Sequence, residues 1–376
     1  MVLLIGNYVP DQQQSMLRFN TMMLQGLTAA GIDAELIRPE PLFGNFRAAG
    51  AFVTKWLAYI DKYLIFPLKL KRRLAAGPSV VHICDHSNAV YAGRAKAAPL
   101  VVTCHDLLAV RGAFGDDTDC PASATGKLLQ RWILGGLQRA DAVACISRAT
   151  MVDAQRLFRP ESAAPKLSIV SLGLHYPYRP LPAGEAAARI TALSTRLDLE
   201  KPFVLHVGSN LKRKNREGVL RIFARGKERW NGQLVFAGDA LTPELHSLGR
   251  ELDISDRVFE IVHPENESLE ALYNFATALL YPSRFEGFGW PIAEAHACGC
   301  PVICSDRGPL PDAAGEAGLI HSVEDEEAFA ADILRLNHPG ERARWSEKSL
   351  RNAERFSAEK MIAAYVGLYR SVAPSL

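Results

Sequence analysis

The chain has 376 residues, and its 43 lysines and arginines nearly balance its 41 aspartates and glutamates. At roughly 150 residues per domain, that length suggests two or three domains. A composition of 48% hydrophobic and 22% charged residues is that of a soluble globular chain, and a net charge of +2 gives no basic field for nucleic acid. Glycine and proline are scattered without period, which excludes collagen-like and mucin-like chains.

The first residues, Met1-Val2-Leu3-Leu4-Ile5-Gly6, lack a basic region and a cleavage site and read as a strand, Val2–Tyr8, rather than a signal peptide. Further strands are predicted at Ala34–Arg38, Val80–Cys84, Leu100–Cys104, Ala142–Ile146 and Leu167–Val170. Helical spacing marks Ser15–Ala30, Ser123–Arg139 and Arg148–Leu157 between them. Strands apolar on both faces, alternating with helices, predict a parallel sheet covered on each side.

Pro177, Pro180 and Pro182 then break the pattern, and a helix-like stretch follows at Ala183–Leu197. The rhythm restarts at Phe203–Val207, Leu234–Ala237, Val258–Ile261, Ala278–Tyr281, Val302–Cys304 and Gly318–Ile320, and one more amphipathic helix closes the chain at Ser357–Val372. The expected organisation is a first Rossmann-like domain at 1–178, a linker region at 179–200, a second doubly wound domain at 201–355 and a final helix within 356–376.

No apolar run reaches the roughly 18–20 residues needed to span a bilayer. The seven cysteines read as reduced, buried hydrophobes of a cytoplasmic protein. His296-Ala297-Cys298-Gly299-Cys300 has no second ligand pair at finger-like spacing, so no metal is expected.

In open α/β sheets ligands bind beyond the carboxyl ends of the strands, so the cleft between two such domains is the default site. Three strand ends carry chemistry. After Ala278–Tyr281 comes Ser283-Arg284-Phe285-Glu286-Gly287-Phe288-Gly289-Trp290-Pro291-Ile292-Ala293-Glu294. A glycine-bearing turn into a helix start offers N–H groups to phosphate or sugar oxygens. Glu286 and Glu294 suit paired sugar hydroxyls, or else serve as a solvated turn and a dipole cap. After Phe203–Val207 comes Gly208-Ser209-Asn210-Leu211-Lys212-Arg213-Lys214-Asn215, whose cations could neutralise a diphosphate or simply face water. After Leu100–Cys104, His105 either meets a sugar hydroxyl or is a core histidine held by a backbone carbonyl.

Together these segments resemble the retaining glycosyltransferases of the GT4 type. Glu286 to Glu294, EGFGWPIAE, is similar to the family's E-x7-E signature, and AHACGCPVI after it resembles the continuation. VGSNLKRKN (207–215) resembles the donor loop, VTCHDL (102–107) a strand end of the first domain, and RFSAEK (355–360) the start of the returning helix. The resemblance implies a GT-B fold, two facing Rossmann-like domains with a cleft between them. It implies a hexosyltransferase of polysaccharide or glycoconjugate synthesis, using a UDP- or GDP-linked sugar, with no metal or other cofactor. By the same resemblance His105, Glu286, Lys214 and Arg213 are catalytic. Gly208, Ser209, Gly287, Phe288, Gly289, Glu294 and His263 hold the donor, and Tyr8, Gln14, Asp106 and Ser147 line the acceptor side. Two departures stand out: the loop 7–15 has no glycine pair, and Ser209 lies where many members carry arginine, a charge Arg213 could supply.

The acceptor reads as a saccharide or lipid-linked saccharide. Residues 52–73 mix aromatics with a basic cluster, which fits either peripheral contact with the cytoplasmic membrane face or a packed helix with snorkelling lysines. Rival readings are a non-hydrolysing nucleotide-sugar epimerase of the same fold and a non-catalytic sugar-nucleotide-binding module. A NAD dehydrogenase is disfavoured by the absence of G-x-G-x-x-G after the first strand.

Overall fold

Among the described residues twelve strands form, all parallel, and they sort into two sheets. The computed structural model describes residues 1–44, 50–95, 98–158, 165–193, 196–374 and 376, with side chains of 50–52 also left aside. The chain divides into two units, Met1–His175 with Ala358–Leu376, and Tyr176–Ser357.

The first unit carries β1 (Val2–Ile5), β2 (Ala34–Ile37), β3 (Val80–Ile83), β4 (Leu100–Cys104), β5 (Ala142–Cys145) and β6 (Lys166–Ile169), in the order β2-β1-β3-β4-β5-β6. β1, β3, β4 and β5 are buried along their whole length, as strands covered by helices on both faces must be. Strand order reverses between β1 and β3, which makes the carboxyl ends of those two strands the topological switch point. Ser123 and Ser147 cap the helices Ala124–Leu137 and Arg148–Leu157, each hydroxyl accepting from an N–H three residues on.

Residues 50–74 form one interrupted helix. Gly50–Ile60 runs into a wider π turn at Asp61–Ile65, and an α-helix resumes at Phe66–Leu74. The buried Asp61 carboxylate accepts from the Tyr8 hydroxyl at 2.9 Å and from the N–H groups of Phe43 and Gly44 at 3.0 and 2.8 Å. A π turn inside a helix is uncommon, and here its first residue is the one that carries this buried charge.

The last helix, Ala358–Val372, packs within the first unit. Its Tyr365 hydroxyl shares a 2.8 Å hydrogen bond with Thr103, whose oxygen lies 2.8 Å from His82 Nε2; the Tyr369 hydroxyl lies 2.7 Å from His82 Nδ1. Burial draws the His82 pKa down to about 3, so the ring is neutral.

In the second unit β7 (Phe203–Gly208), β8 (Gln233–Gly238), β9 (Val258–Val262), β10 (Ala278–Tyr281), β11 (Val302–Ser305) and β12 (Gly318–His321) take the order β12-β11-β10-β7-β8-β9. Its switch point is therefore between β7 and β10. The stretch 179–200, read from its prolines as a linker, lies within this unit. Its helix Ala183–Leu193 is fastened by Arg189 to Glu270 at 3.0 Å, while Leu181 N–H donates to Asn274 Oδ1 at 2.7 Å. Prolines ended the periodicity there without ending the packing.

Candidate active site

Both switch points carry clusters of polar side chains. At the β7 end, a short turn of 3₁₀-helix (Lys212–Lys214) closes the basic loop, with Asn215 in the left-handed region. Asn215 Nδ2 donates to Pro282 O at 3.0 Å, and Arg284 N–H donates to Arg213 O at 2.7 Å, so the loops after β7 and β10 are joined. That joining brings the two sequence-predicted motifs together. Lys214 Nζ lies 2.7 Å from Glu286 Oε1, and Arg213 Nη1 lies 2.7 Å from Oε2. The Tyr281 hydroxyl, 2.7 Å from both Lys214 Nζ and Glu286 Oε1, completes the cluster.

Burial alone would push the Glu286 carboxyl up. The neighbouring charges of Lys214 and Arg213, with the hydrogen bonds from Lys214 and Tyr281, outweigh it and hold the pKa at about 2. Burial draws the Lys214 ammonium below its ordinary value, and the Glu286 charge opposes that. The solvated-turn reading of Lys214 and Glu286 is thereby replaced: both side chains are almost wholly buried and one ion pair links them.

Arg216, which the sequence reading did not single out, fixes the floor of this site. Its guanidinium donates to Asn210 Oδ1 (2.6 Å), Asp239 O (2.9 Å) and Gly208 O (2.9 Å). Gly208 and Gly238 face each other across paired β7 and β8. Gly238 has φ +132°, and a Cβ there would stand 2.2 Å from Gly208 O, so only glycine fits. Ser209 is partly exposed beside Gly208. His263, just past β9, donates its N–H to Gly238 O at 2.9 Å and leaves its ring largely in water, 3.9 Å from Asp239.

Gly289, in the left-handed region at φ +101°, starts the helix Trp290–Ala297. Gly287 is partly exposed before it, while Phe288 is buried edge-on against Phe356, 5.7 Å between ring centres. Glu294 is buried in the first turns of that helix and accepts from the Tyr273 hydroxyl at 2.9 Å.

In the first unit, His105 Nε2 lies 3.0 Å from Cys84 O, the backbone partner that the plainer sequence reading foresaw; Nδ1 has no hydrogen-bond partner among the described residues. Burial lowers the His105 pKa, so the ring is held neutral. Tyr8 is buried, and its hydroxyl donates to Asp61. Gln14 is exposed at the start of the helix Gln14–Ala29, Asp106 accepts from Leu108 N–H at 3.0 Å, and Ser147 is a buried helix cap.

A second cluster was missed by sequence reasoning. Asp85, buried after β3, accepts from Asn7 Nδ2 at 2.5 Å across the β1/β3 switch point and from Ser87 N–H at 3.1 Å, and lies 3.1 Å from His86 Nδ1. Burial works against charge on His86, but Asp85 more than offsets it and raises the ring's pKa. Asp85-His86 after β3 repeats in reverse the His105-Asp106 pair after β4, and that repetition is the sequence signal for this cluster.

Among the described residues no group of three or more histidines, cysteines, aspartates or glutamates is placed to hold a metal ion. Cys84, Cys104, Cys145, Cys298, Cys300 and Cys304 are buried thiols, and burial pushes the Cys300 thiol up to about 12.

Two family models match this chain, and between them they span most of it. The family described as "Glycosyl transferases group 1" matches residues 192–351, and "Glycosyltransferase Family 4" matches residues 18–175. The chain belongs to the family 4 glycosyltransferases. O-antigen chain mannosyltransferase B of Escherichia coli is 31% identical over 177 residues, 45% of each chain. The D-inositol 3-phosphate glycosyltransferase of Acidothermus cellulolyticus is 29% identical over 290 residues, 72% of this chain and 62% of the relative. The alignments thus span about half to just under two thirds of these curated relatives. Among solved structures, a sucrose-phosphate synthase from Thermosynechococcus elongatus superposes with a TM-score of 0.76 at 21% identity, covering 100% of this chain and 99% of its own. Anabaena HepE, solved with UDP and glucose, gives 0.74 at 16% identity over 98% and 99%. These neighbours share the two-unit α/β fold of this chain, the GT-B fold.

No described helix is long and apolar enough to cross a membrane.

Proposed function

We propose that this family 4 glycosyltransferase moves a hexose from a UDP- or GDP-linked sugar to a hydroxyl of a saccharide or lipid-linked saccharide. We further propose that it does so with retention at the anomeric carbon and without a metal ion. The observation that carries this reading is the convergence of Lys214, Arg213 and Glu286 at the β7/β10 switch point. A diphosphate leaving group needs fixed positive charge where its own negative charge grows, and preorganised cations supply it at no reorganisation cost. Lys214 and Arg213 are those cations. Glu286, held ionised by them, accepts from hydroxyls of the transferred sugar, and Glu294 is given to the ribose hydroxyls.

In the proposed step the bond from the anomeric carbon to the diphosphate oxygen breaks, and the acceptor oxygen bonds to that carbon on the same face. The acceptor proton passes to the departing oxygen. His105, neutral and with a free Nδ1, is assigned to the sugar near its reacting carbon. The relatives named for mannosyl and inositol 3-phosphate glycosyl transfer, and the neighbour solved with UDP and glucose, support a nucleotide sugar as donor. Six buried thiols suit a reducing compartment, and we place the reaction in the cytoplasm.

A thermal-shift screen of UDP, GDP, ADP and their sugars tests the donor class. One nucleotide series should stabilise the folded chain by about 2.7 kcal/mol at 100 times its dissociation constant. If none of them moves the melting temperature, the reading is wrong.

A further inference from the structure

The interrupted helix of residues 50–74 uses one face to build the core of the first unit. Phe66, Leu70 and Leu74 are buried there, with Tyr63 packed against them. The opposite face of such a helix is ordinarily polar. Here it is not. Trp56 is 55% exposed, Leu64 64% and Leu68 62%. Leu64 and Leu68 are one helical turn apart, and Lys71 and Arg72 continue the same stripe a turn further on.

The sequence does not show that this stripe joins a second helix. Four aromatic rings run in contact from Trp56 to Tyr59, Tyr63 and Trp132, with centroid separations of 5.6, 5.4 and 5.7 Å. Trp132 lies on the helix Ala124–Leu137, where it is 42% exposed and Leu128, one turn before it, is 68% exposed. Lys127 and Arg131 stand beside them, both exposed. The ring contacts thus join the exposed apolar side chains of two helices, which is more than scattered single side chains would make.

Charge decides what covers it. Between residues 50 and 74 the one acid is Asp61, which is buried and spoken for, and Ala124–Leu137 holds no acid. Lys62, Lys69 and Arg73 are paired with Asp11, Glu40 and Glu35. Lys71, Arg72, Lys127 and Arg131 are exposed and make no ion pair among the described residues. Tryptophan and leucine collared by unneutralised cations match the boundary between acyl chains and anionic headgroups.

We propose that the first unit docks on an anionic lipid bilayer through this two-helix face, with Trp56, Leu64, Leu68, Leu128 and Trp132 entering the headgroup boundary. Lys71, Arg72, Lys127 and Arg131 hold the lipid phosphates. The proposal stands apart from the transfer reaction, because binding is read without turnover.

The test is co-sedimentation of the full chain with vesicles of phosphatidylcholine alone and of phosphatidylcholine mixed with phosphatidylglycerol. The wild type should partition onto the mixed vesicles and be released by salt. Lys71→Gln with Arg72→Gln should lower that partition by about twenty-five-fold, at roughly fivefold per cation. Trp56→Ser with Trp132→Ser should also lower it and abolish quenching of tryptophan emission by brominated lipid. All four positions are on the surface, so unchanged circular dichroism will show that the variants fold. Wild type that stays in solution with both vesicles, as it would if the face met a protein partner, overturns the proposal. So does equal partition of the wild type and both double variants.

Discussion

Glu286→Gln is expected to lower turnover by about 10²–10³-fold, the loss typical of removing one preorganised electrostatic contact. Glutamine keeps the shape and an oxygen that accepts from Tyr281. It removes the charge that Lys214 and Arg213 face at 2.7 Å. Lys214 then remains buried beside Arg213 with no carboxylate in contact, so the variant should also lose stability. Breaking a buried pair costs about 3–5 kcal/mol, and the lower end applies because Arg213 reaches water. Steady-state kinetics with the true donor and acceptor checks the first effect and urea melts the second. A variant that folds and keeps wild-type turnover would remove Glu286 from the proposed mechanism.

The second large effect is acid destabilisation. His82, His206 and His296 are fully buried, and burial draws each pKa down to about 3. In the folded chain they stay neutral where the unfolded chain, near 6.5, takes up protons. Stability is therefore lost as pH falls below about 6.5, and the loss continues until about pH 3. At about pH 5 each ring costs about 2 kcal/mol, and three cost about 6 kcal/mol, comparable to the whole stability of many domains. His86 opposes the trend, because Asp85 raises its pKa and so favours the folded state at low pH. Glu286 enters only below its ordinary value of 4.5 and matters down to about 2. Urea midpoints at about pH 7.5 and about pH 5 should differ strongly. Equal midpoints would mean that these rings are solvated.

The inner strands were legible because a parallel strand between two helical layers is apolar without alternation, as in Val2–Ile5 and Ala278–Tyr281. The β7 and β10 loops were legible as motifs, but their joining was not, since Lys214 and Glu286 are 72 residues apart. Tyr281 and Tyr273 read as apolar positions in a strand and a helix. Their hydroxyls in fact hold Glu286 and Glu294. The π turn at Asp61 left no trace in periodicity, and the buried carboxylate at its first residue meets Tyr8, 53 residues earlier. Asn7 and Asp85 meet only because β1 and β3 are neighbours in the sheet, an adjacency set by topology.

Calorimetric titration of nucleoside diphosphates into the wild type and into Lys214→Gln reaches the centre of this account. One diphosphate should bind the wild type, and the variant should bind it about 10–100-fold more weakly, as expected for a lost charged hydrogen bond. Equal affinity in the two proteins would contradict the assignment of the diphosphate to the cations at the β7/β10 switch point.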